Sequence, residues 1–216
     1  MANNIAFDKL NAPDWGMIVV GAIISAIGML IGSLFNKKRN KQKKQDGEVL
    51  VSTVLFNDSS VVIHDRKPID EVRLMTNKDY EVYGCTALLD ALGSSIRHIG
   101  NIHKYARVED VPEHTMFVII TDGMENASRY YSKERVKSMI EYEKEKYGWE
   151  FLFLAANMDA IDTASQYGID KDHAVNYQCD SVGTRLNYEV LDEAIQCICS
   201  GVPLSKSWKS KIEKCK

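Results

Sequence analysis

The amino-acid sequence predicts an α/β fold, an open and mostly parallel sheet with helices on both faces. Two runs carry that prediction. Met116–Ile120 and Trp149–Ala156 are apolar almost without interruption, as strands buried on both faces require. Each leads into a helical pattern, and such strand–helix alternation implies parallel strands joined by crossover helices. A third observation locates a site. The first run stops at Thr121-Asp122-Gly123, and a carboxylate at the carboxyl end of a buried strand is where open α/β sheets place ligand-binding groups. Capping a turn is the plainer role for such an aspartate.

The chain has 216 residues, room for one domain with a proper core plus an appendage. Its net charge of -3 conceals an asymmetry: residues 37–44, KKRNKQKK, carry six positive charges, and from Gln45 onward 20 basic residues face 28 acidic ones. An acidic domain repels phosphate backbones, which argues against a nucleic-acid partner. The cysteines (Cys85, Cys179, Cys197, Cys199, Cys215) are odd in number and scattered, as free thiols in a reducing compartment would be.

Residues 1–14 read as a short amino-terminal tail. No charge occurs between Asp14 and Lys37, and Met17–Phe35 is long enough to cross a bilayer core as a helix. The expectation is a single transmembrane helix over 15–36, anchored at the interface by Trp15, followed by a basic juxtamembrane linker over 37–46. Acidic residues precede the run and basic ones follow it, the reverse of a cleaved signal peptide. The positive-inside rule then puts a single-pass protein in the cell membrane with its carboxyl side in the cytoplasm, and the linker against anionic lipid heads. Gly21, Ser25, Gly28 and Gly32 share one helical face, a small-residue pattern through which two copies could associate. The stretch has other readings: a buried core element, or, in its first half WGMIVVGAII, a β-strand.

Residues 47–200 read as the folded domain and 201–216 as a carboxyl-terminal tail. Glu48–Phe56 is strand-like, Asn57-Asp58-Ser59-Ser60 is a turn cluster, and Val61–His64 continues as a second strand, together a hairpin. Asp58 and Ser60 are read as turn residues, not metal ligands. Gly84-Cys85-Thr86 precedes a helix with Leu88, Leu89, Leu92, Ile96 and Ile99 at helical spacing. Thr86 stands at its start, where a hydroxyl caps the helix or faces a ligand. Ser132 is the expected cap of a helix running to about Tyr147 and ended by Gly148. Asp159 is placed to cap a helix over 160–167, Ala174–Tyr177 is a last short strand, and Leu186, Val190, Leu191, Ala194, Ile195 and Ile198 form the apolar face of a final helix.

Three segments, GCTALLDALG at 84–93, VIITDGMENAS at 118–128 and WEFLFLAANMDA at 149–160, resemble von Willebrand factor A-type (VWA) domains, above all their bacterial cytoplasmic branch, across residues 41–200. The resemblance implies a Rossmann-like sheet with a metal-ion-dependent adhesion site at its top. There a divalent cation, usually magnesium, is held by an Asp-x-Ser-x-Ser motif after the first strand, by a threonine and by an aspartate. It implies Thr86 as the threonine ligand and Asp122 as the aspartate, with one position of the octahedron open to a partner's carboxylate. This chain departs from the pattern. Asp-x-Ser-x-Ser occurs nowhere in it, and the membrane-like segment stands where the family's first, central strand belongs. The domain is therefore expected to be VWA-like but truncated, with Asp90, Glu125 and Asp159 as residues that could partly replace the missing ligands. The central gap would bury unpaired backbone groups. Part of 16–35 acting as a strand, a strand from another chain, or a damaged domain would each account for it.

The function expected from this is a membrane-tethered, VWA-like protein-binding module whose incomplete metal site holds magnesium weakly or not at all. A degenerate or rearranged protein without metal function is the alternative. VIITDG also resembles the loop of aspartate-nucleophile phosphatases, but those need a second aspartate two residues on, where Met124 stands. His64, His98, His103, His114 and His173 are scattered, and no Ser/His/Asp set is visible, so no enzyme is expected.

Overall fold

A computed structural model describes the backbone of residues 15–21 and, with side chains, residues 49–72, 85–156 and 158–178; toward the carboxyl end it describes 186–187, 189–191, 193–194, 197, 204 and 206–213. Six strands form one sheet: β1 (Trp15–Gly21), β2 (Val49–Phe56), β3 (Ser60–Pro68), β4 (His114–Thr121), β5 (Glu150–Ala155) and β6 (Ala174–Asn176), in the order β3-β2-β1-β4-β5-β6. Every neighbouring pair is parallel except the β2–β3 hairpin. The main helices are α1 (Leu88–Tyr105), α2 (Lys133–Tyr147) and α3 (Ala160–Gln166).

β1 is the principal departure from expectation. The first residues assigned to a transmembrane helix over 15–36 form the central strand, paired with β2 from Trp15↔Val49 to Val20↔Val54 and with β4 from Trp15↔His114 to Gly21↔Ile120. The truncation is corrected with it, because the position left open between the second and fourth strands is filled from within the chain. The physical reason is that a strand paired on both sides needs apolar residues throughout, as a membrane helix does, so the apolar run does not distinguish them. Among the described residues no helix is long and apolar enough to cross a membrane. Of the small-residue face, Gly21 closes β1, and Ser25, Gly28 and Gly32 lie outside the described residues.

The two apolar runs are buried on both faces, as expected. Phe117 and Ile119 of β4, with Phe151 and Phe153 of β5, pack toward Leu92, Ile96, Ile140 and Ala164 of the helices. Met116, Val118 and Ile120, with Leu152 and Leu154, face the other way, toward Val190, Leu191, Ala194, Trp208 and Ile212. Each such side chain contributes about 1.5–3 kcal/mol by leaving water. Two helix ends follow their local signals. Ser132 accepts a hydrogen bond from the Arg135 amide at 3.2 Å, and Gly148, at φ 66°, closes α2 in the left-handed conformation that glycine adopts without strain. Asp159 accepts from the amides of Ile161 and Asp162, both at 3.0 Å.

The expected tail over 201–216 contains residues that belong to the core. Trp208 and Ile212 are buried, the Trp208 indole donates to the Asp172 carbonyl at 2.7 Å, and the Lys209 amine donates to the carbonyls of Lys171 (2.9 Å) and Ala174 (3.0 Å).

One buried group works against the fold. Glu143 of α2 is 9% exposed, and its Oε2 is buried without a hydrogen-bond partner among the described residues. α1 approaches it closely, for a Cβ on Gly100 would stand 3.2 Å from Oε1. Burial raises the Glu143 carboxyl above its ordinary 4.5, against a smaller opposing pull from Lys146. A carboxyl whose folded value is raised costs stability as pH climbs past the unfolded value, and costs nothing below it.

Two measurements follow from this architecture. A fragment beginning at residue 45 leaves the facing edges of β2 and β4 unpaired, and we expect it to self-associate in size-exclusion chromatography while the full chain does not. A monomeric, cooperatively unfolding fragment would show that the sheet does without β1. Glu143→Leu is expected to stabilise the chain at pH 7 by about 1 kcal/mol, the cost of a buried unsatisfied polar group, in urea denaturation. That gain should shrink as pH falls toward 4.5.

Candidate functional site

Because β1, β2, β4 and β5 run parallel, their carboxyl ends lie at one end of the sheet. The β2–β3 turn, the segment before α1, the loop after β4 and the start of α3 converge there. In the turn, Asn57 Oδ1 accepts from the Ser59 amide at 3.0 Å, the expected turn chemistry. The turn also reaches across the chain: the Asn57 carbonyl accepts from the Ala87 amide at 2.7 Å, and Asp58 Oδ1 accepts from the Cys85 amide at 2.5 Å. Asn57 and Asp58 thus bracket Thr86 from both sides.

Thr86 does not cap α1. Ala87 holds the N-cap position, with no side-chain cap of its own. The orphan amides of the first turn are satisfied from the loop after β4 instead: Glu125 Oε2 accepts from Leu89 at 2.8 Å and Ser128 Oγ accepts from Asp90 at 3.0 Å. Asp90 returns the favour from the helix, its carboxylate accepting from the amides of Arg129, Tyr130 and Tyr131, each at 2.8 Å. Glu125 also accepts from the amides of Ala127 (3.0 Å) and Ser128 (2.8 Å) and from the Ser128 hydroxyl (2.8 Å). Helix start and loop therefore cap each other. Tyr131 adds packing, since its ring lies so close to α1 that a Cβ on Gly93 would come within 2.3 Å of it.

This clamp sets Thr86 against Gly123, the residue after Asp122. The Thr86 amide donates to Asn126 Oδ1 at 2.8 Å, and the Asn126 amide to the Thr86 carbonyl at 3.0 Å. A Cβ built on Gly123 would stand 2.6 Å from Thr86 Oγ1, so only glycine after Asp122 lets the hydroxyl approach so closely. The Asp122 carboxyl is raised above its ordinary 3.8, chiefly by burial, with its own backbone amide opposing.

Of the two residues implied as metal ligands, Thr86 thus abuts the glycine that follows Asp122, while the three considered as substitutes are committed elsewhere. Asp90 and Glu125 hold backbone amides, and Asp159 caps α3. Among the described residues no three His, Cys, Asp or Glu side chains converge as a metal-binding group. A carboxylate, a hydroxyl and a glycine-lined approach suit a hard cation that keeps much of its water, and nothing softer. The histidines stay dispersed: His64 bonds Thr53 at 3.1 Å, His98 pairs with Asp65 at 3.1 Å, His103 meets the edge of Trp149, and His173 lies 3.2 Å from Glu150.

The sequence reading missed the supporting role of Glu125, Asn126 and Ser128. Glu125→Ala removes an acceptor shared by three amides, and we expect it to lower stability by about 2 kcal/mol in urea denaturation. Glu125→Gln, which keeps an oxygen acceptor, should lose less.

No family model matches this sequence, and no curated protein does either. Solved structures do. The chain is similar to the ArnB paralog VWA2 from Sulfolobus acidocaldarius, with 14% identity over 86% of this chain and 45% of that one, at a TM-score of 0.50. It is also similar to proximal thread matrix protein 1 from the mussel byssus, with 16% identity over 87% of this chain and 46% of that one, again at 0.50. The chain spans less than half the length of these structures. At such identities the likeness is one of fold, and the fold is VWA-like.

Proposed function

We propose that this chain is a VWA-type protein-interaction module whose binding face is the carboxyl end of the sheet around Thr86 and Asp122, and that it is not an enzyme. The observation that carries the reading is the mutual clamp of α1 and the 122–131 loop, which holds a threonine hydroxyl against the glycine that follows a half-buried aspartate in a VWA-like sheet. That loop also presents Met124, 69% exposed, and Tyr130, 80% exposed, at the rim of the site. Exposed apolar side chains beside a polar centre are what a protein partner can cover.

Thr86 and Asp122 would hold magnesium, which supplies a coordination position for a partner's carboxylate. Without Asp-x-Ser-x-Ser the site is short of a charged ligand. Each such contact is worth on the order of 1.5–3 kcal/mol, or roughly ten- to a hundredfold in affinity, so binding should be millimolar at best. The bacterial cytoplasmic branch remains the closest family reading of the motif segments.

We propose membrane association in a narrower form than a spanning helix. With Trp15–Gly21 in the sheet, the apolar stretch left is Ala22–Phe35. As a helix it would cover roughly 21 Å, short of the roughly 30 Å hydrocarbon core. The basic run 37–44 is then the element that would attract anionic lipid.

A photo-crosslinking residue at Met124 tests the binding face, with Tyr105, 78% exposed at the far end of α1, as the control position. In extracts of the source cells, capture of a discrete protein at 124 but not at 105, reduced by Asp122→Ala, is the expected result. Equal capture at both positions, indifferent to Asp122, would sink the assignment.

A further inference from the structure

We propose that the groove along the solvent side of α1 docks a short acidic peptide of a protein partner, held through Arg97 and Arg129. Neither Thr86 nor Asp122 lines this groove, so the assignment stands apart from the metal reading and shares with the proposed function only a protein as the partner.

The groove follows from the two sides of α1. One side is buried and carries Leu88, Leu92, Ile96 and Ile99. The other repeats Asp90, Ser94, Arg97 and Asn101 at helical spacing, and all four line a groove of about 780 Å³. That volume lies within the roughly 300–1,000 Å³ of ligand sites. The β2–β3 turn adds Ser59 and Ser60 to the lining, and the loop after β4 adds Arg129 and Tyr130. Both are fastened to α1 or to the segment before it. The turn accepts from the Ala87 amide at 2.7 Å, and the amides of 129–131 donate to Asp90 at 2.8 Å each. The groove is therefore built before any ligand arrives.

The charges left to a ligand decide its chemistry. The carboxylates at the groove have work already: Asp90 holds those three amides, Asp58 accepts from the Cys85 amide, and Asp65 lies 3.1 Å from His98. Arg97 and Arg129 are both exposed, and among the described residues neither guanidinium has an ion pair or a side-chain hydrogen bond. A guanidinium presents a planar fork of donors that matches a carboxylate. Tyr130, 80% exposed, offers a flat apolar surface beside them. Asp58 and Asp90 keep their charges, which disfavours a nucleic-acid backbone with a charge at every step. A peptide can set its carboxylates at the arginines and neutral side chains at the aspartates. Arg97, Asn101, Arg129 and Tyr130 all face solvent, so the groove covers only part of its occupant. That suits a segment of a larger partner better than a small molecule, which a pocket mostly encloses.

Fluorescence anisotropy of a fluorescein-labelled hexapeptide of alternating glutamate and leucine, titrated with the full chain in EDTA, tests the assignment. A hexapeptide of alternating glutamine and leucine is the control, and EDTA removes any cation from the comparison. We expect the glutamate peptide to bind about tenfold more tightly than the control. Arg97→Gln and Arg129→Gln should each weaken it about tenfold, with melting temperatures unchanged. Ser94→Glu, which sets a like charge on the same side of α1, should weaken it as well. This outcome supports the groove whatever becomes of Thr86 and Asp122. No binding, equal affinity for the two peptides, or indifference to both arginine variants would overturn it. So would tighter binding of a single-stranded oligothymidylate, or peptide binding that Asp122→Ala removes and both arginine variants keep.

Discussion

The structure depends on a strand paired along both edges. β1 gives hydrogen bonds to β2 on one side and β4 on the other, and neither flanking strand has another neighbour on that edge. Buried peptide groups without partners are costly, so the sheet has little tolerance for an empty centre. The site inherits this dependence. Asn57 and Asp58 follow β2 and Asp122 follows β4, so the strand between them helps to set the distance across the top of the sheet. The same residues cannot both complete the sheet and enter a bilayer, so membrane insertion of 15–21 would dismantle the site it was supposed to tether.

A second layer of organisation rests on carboxylates used as caps. A helix start usually draws its cap from the residue just before it. Here α1 takes its caps from Glu125 and Ser128 on the far side of the sheet's top, and Asp90 of α1 holds the backbone of 129–131 in exchange. Thr86 is thereby released from capping, and its hydroxyl is left facing the turn at Gly123. The arrangement couples helix stability to loop position, so damage at Glu125 reaches Asp122 without touching it.

Much of this was legible in the sequence, for reasons that differ by element. The hairpin at 57–60, the cap at Ser132, the stop at Gly148 and the cap at Asp159 all rest on signals within a few residues, and each appears where expected. The double burial of β4 and β5 was readable because an apolar run bounded by turn residues admits few other settings. β1 was not resolved, since an uncharged run suits a central strand and a membrane helix alike, and the choice depends on β4, a hundred residues away. Thr86 and Asp122 came from likeness of motif. The close approach of Thr86 to Gly123 did not, nor did the exchange of caps, whose partners lie 36 to 41 residues apart.

The order of strands in space has a consequence for biosynthesis. β1 is made first, yet one of its two edges stays open until β4 exists, from Trp15 to His114 in register. Pairings this distant in sequence form late, because the loop they close must be ordered first. During translation the most apolar stretch of the chain is therefore exposed while some hundred residues are still to be added. A nascent chain in that condition is a substrate for chaperones and, in their absence, for aggregation or for capture by a lipid surface.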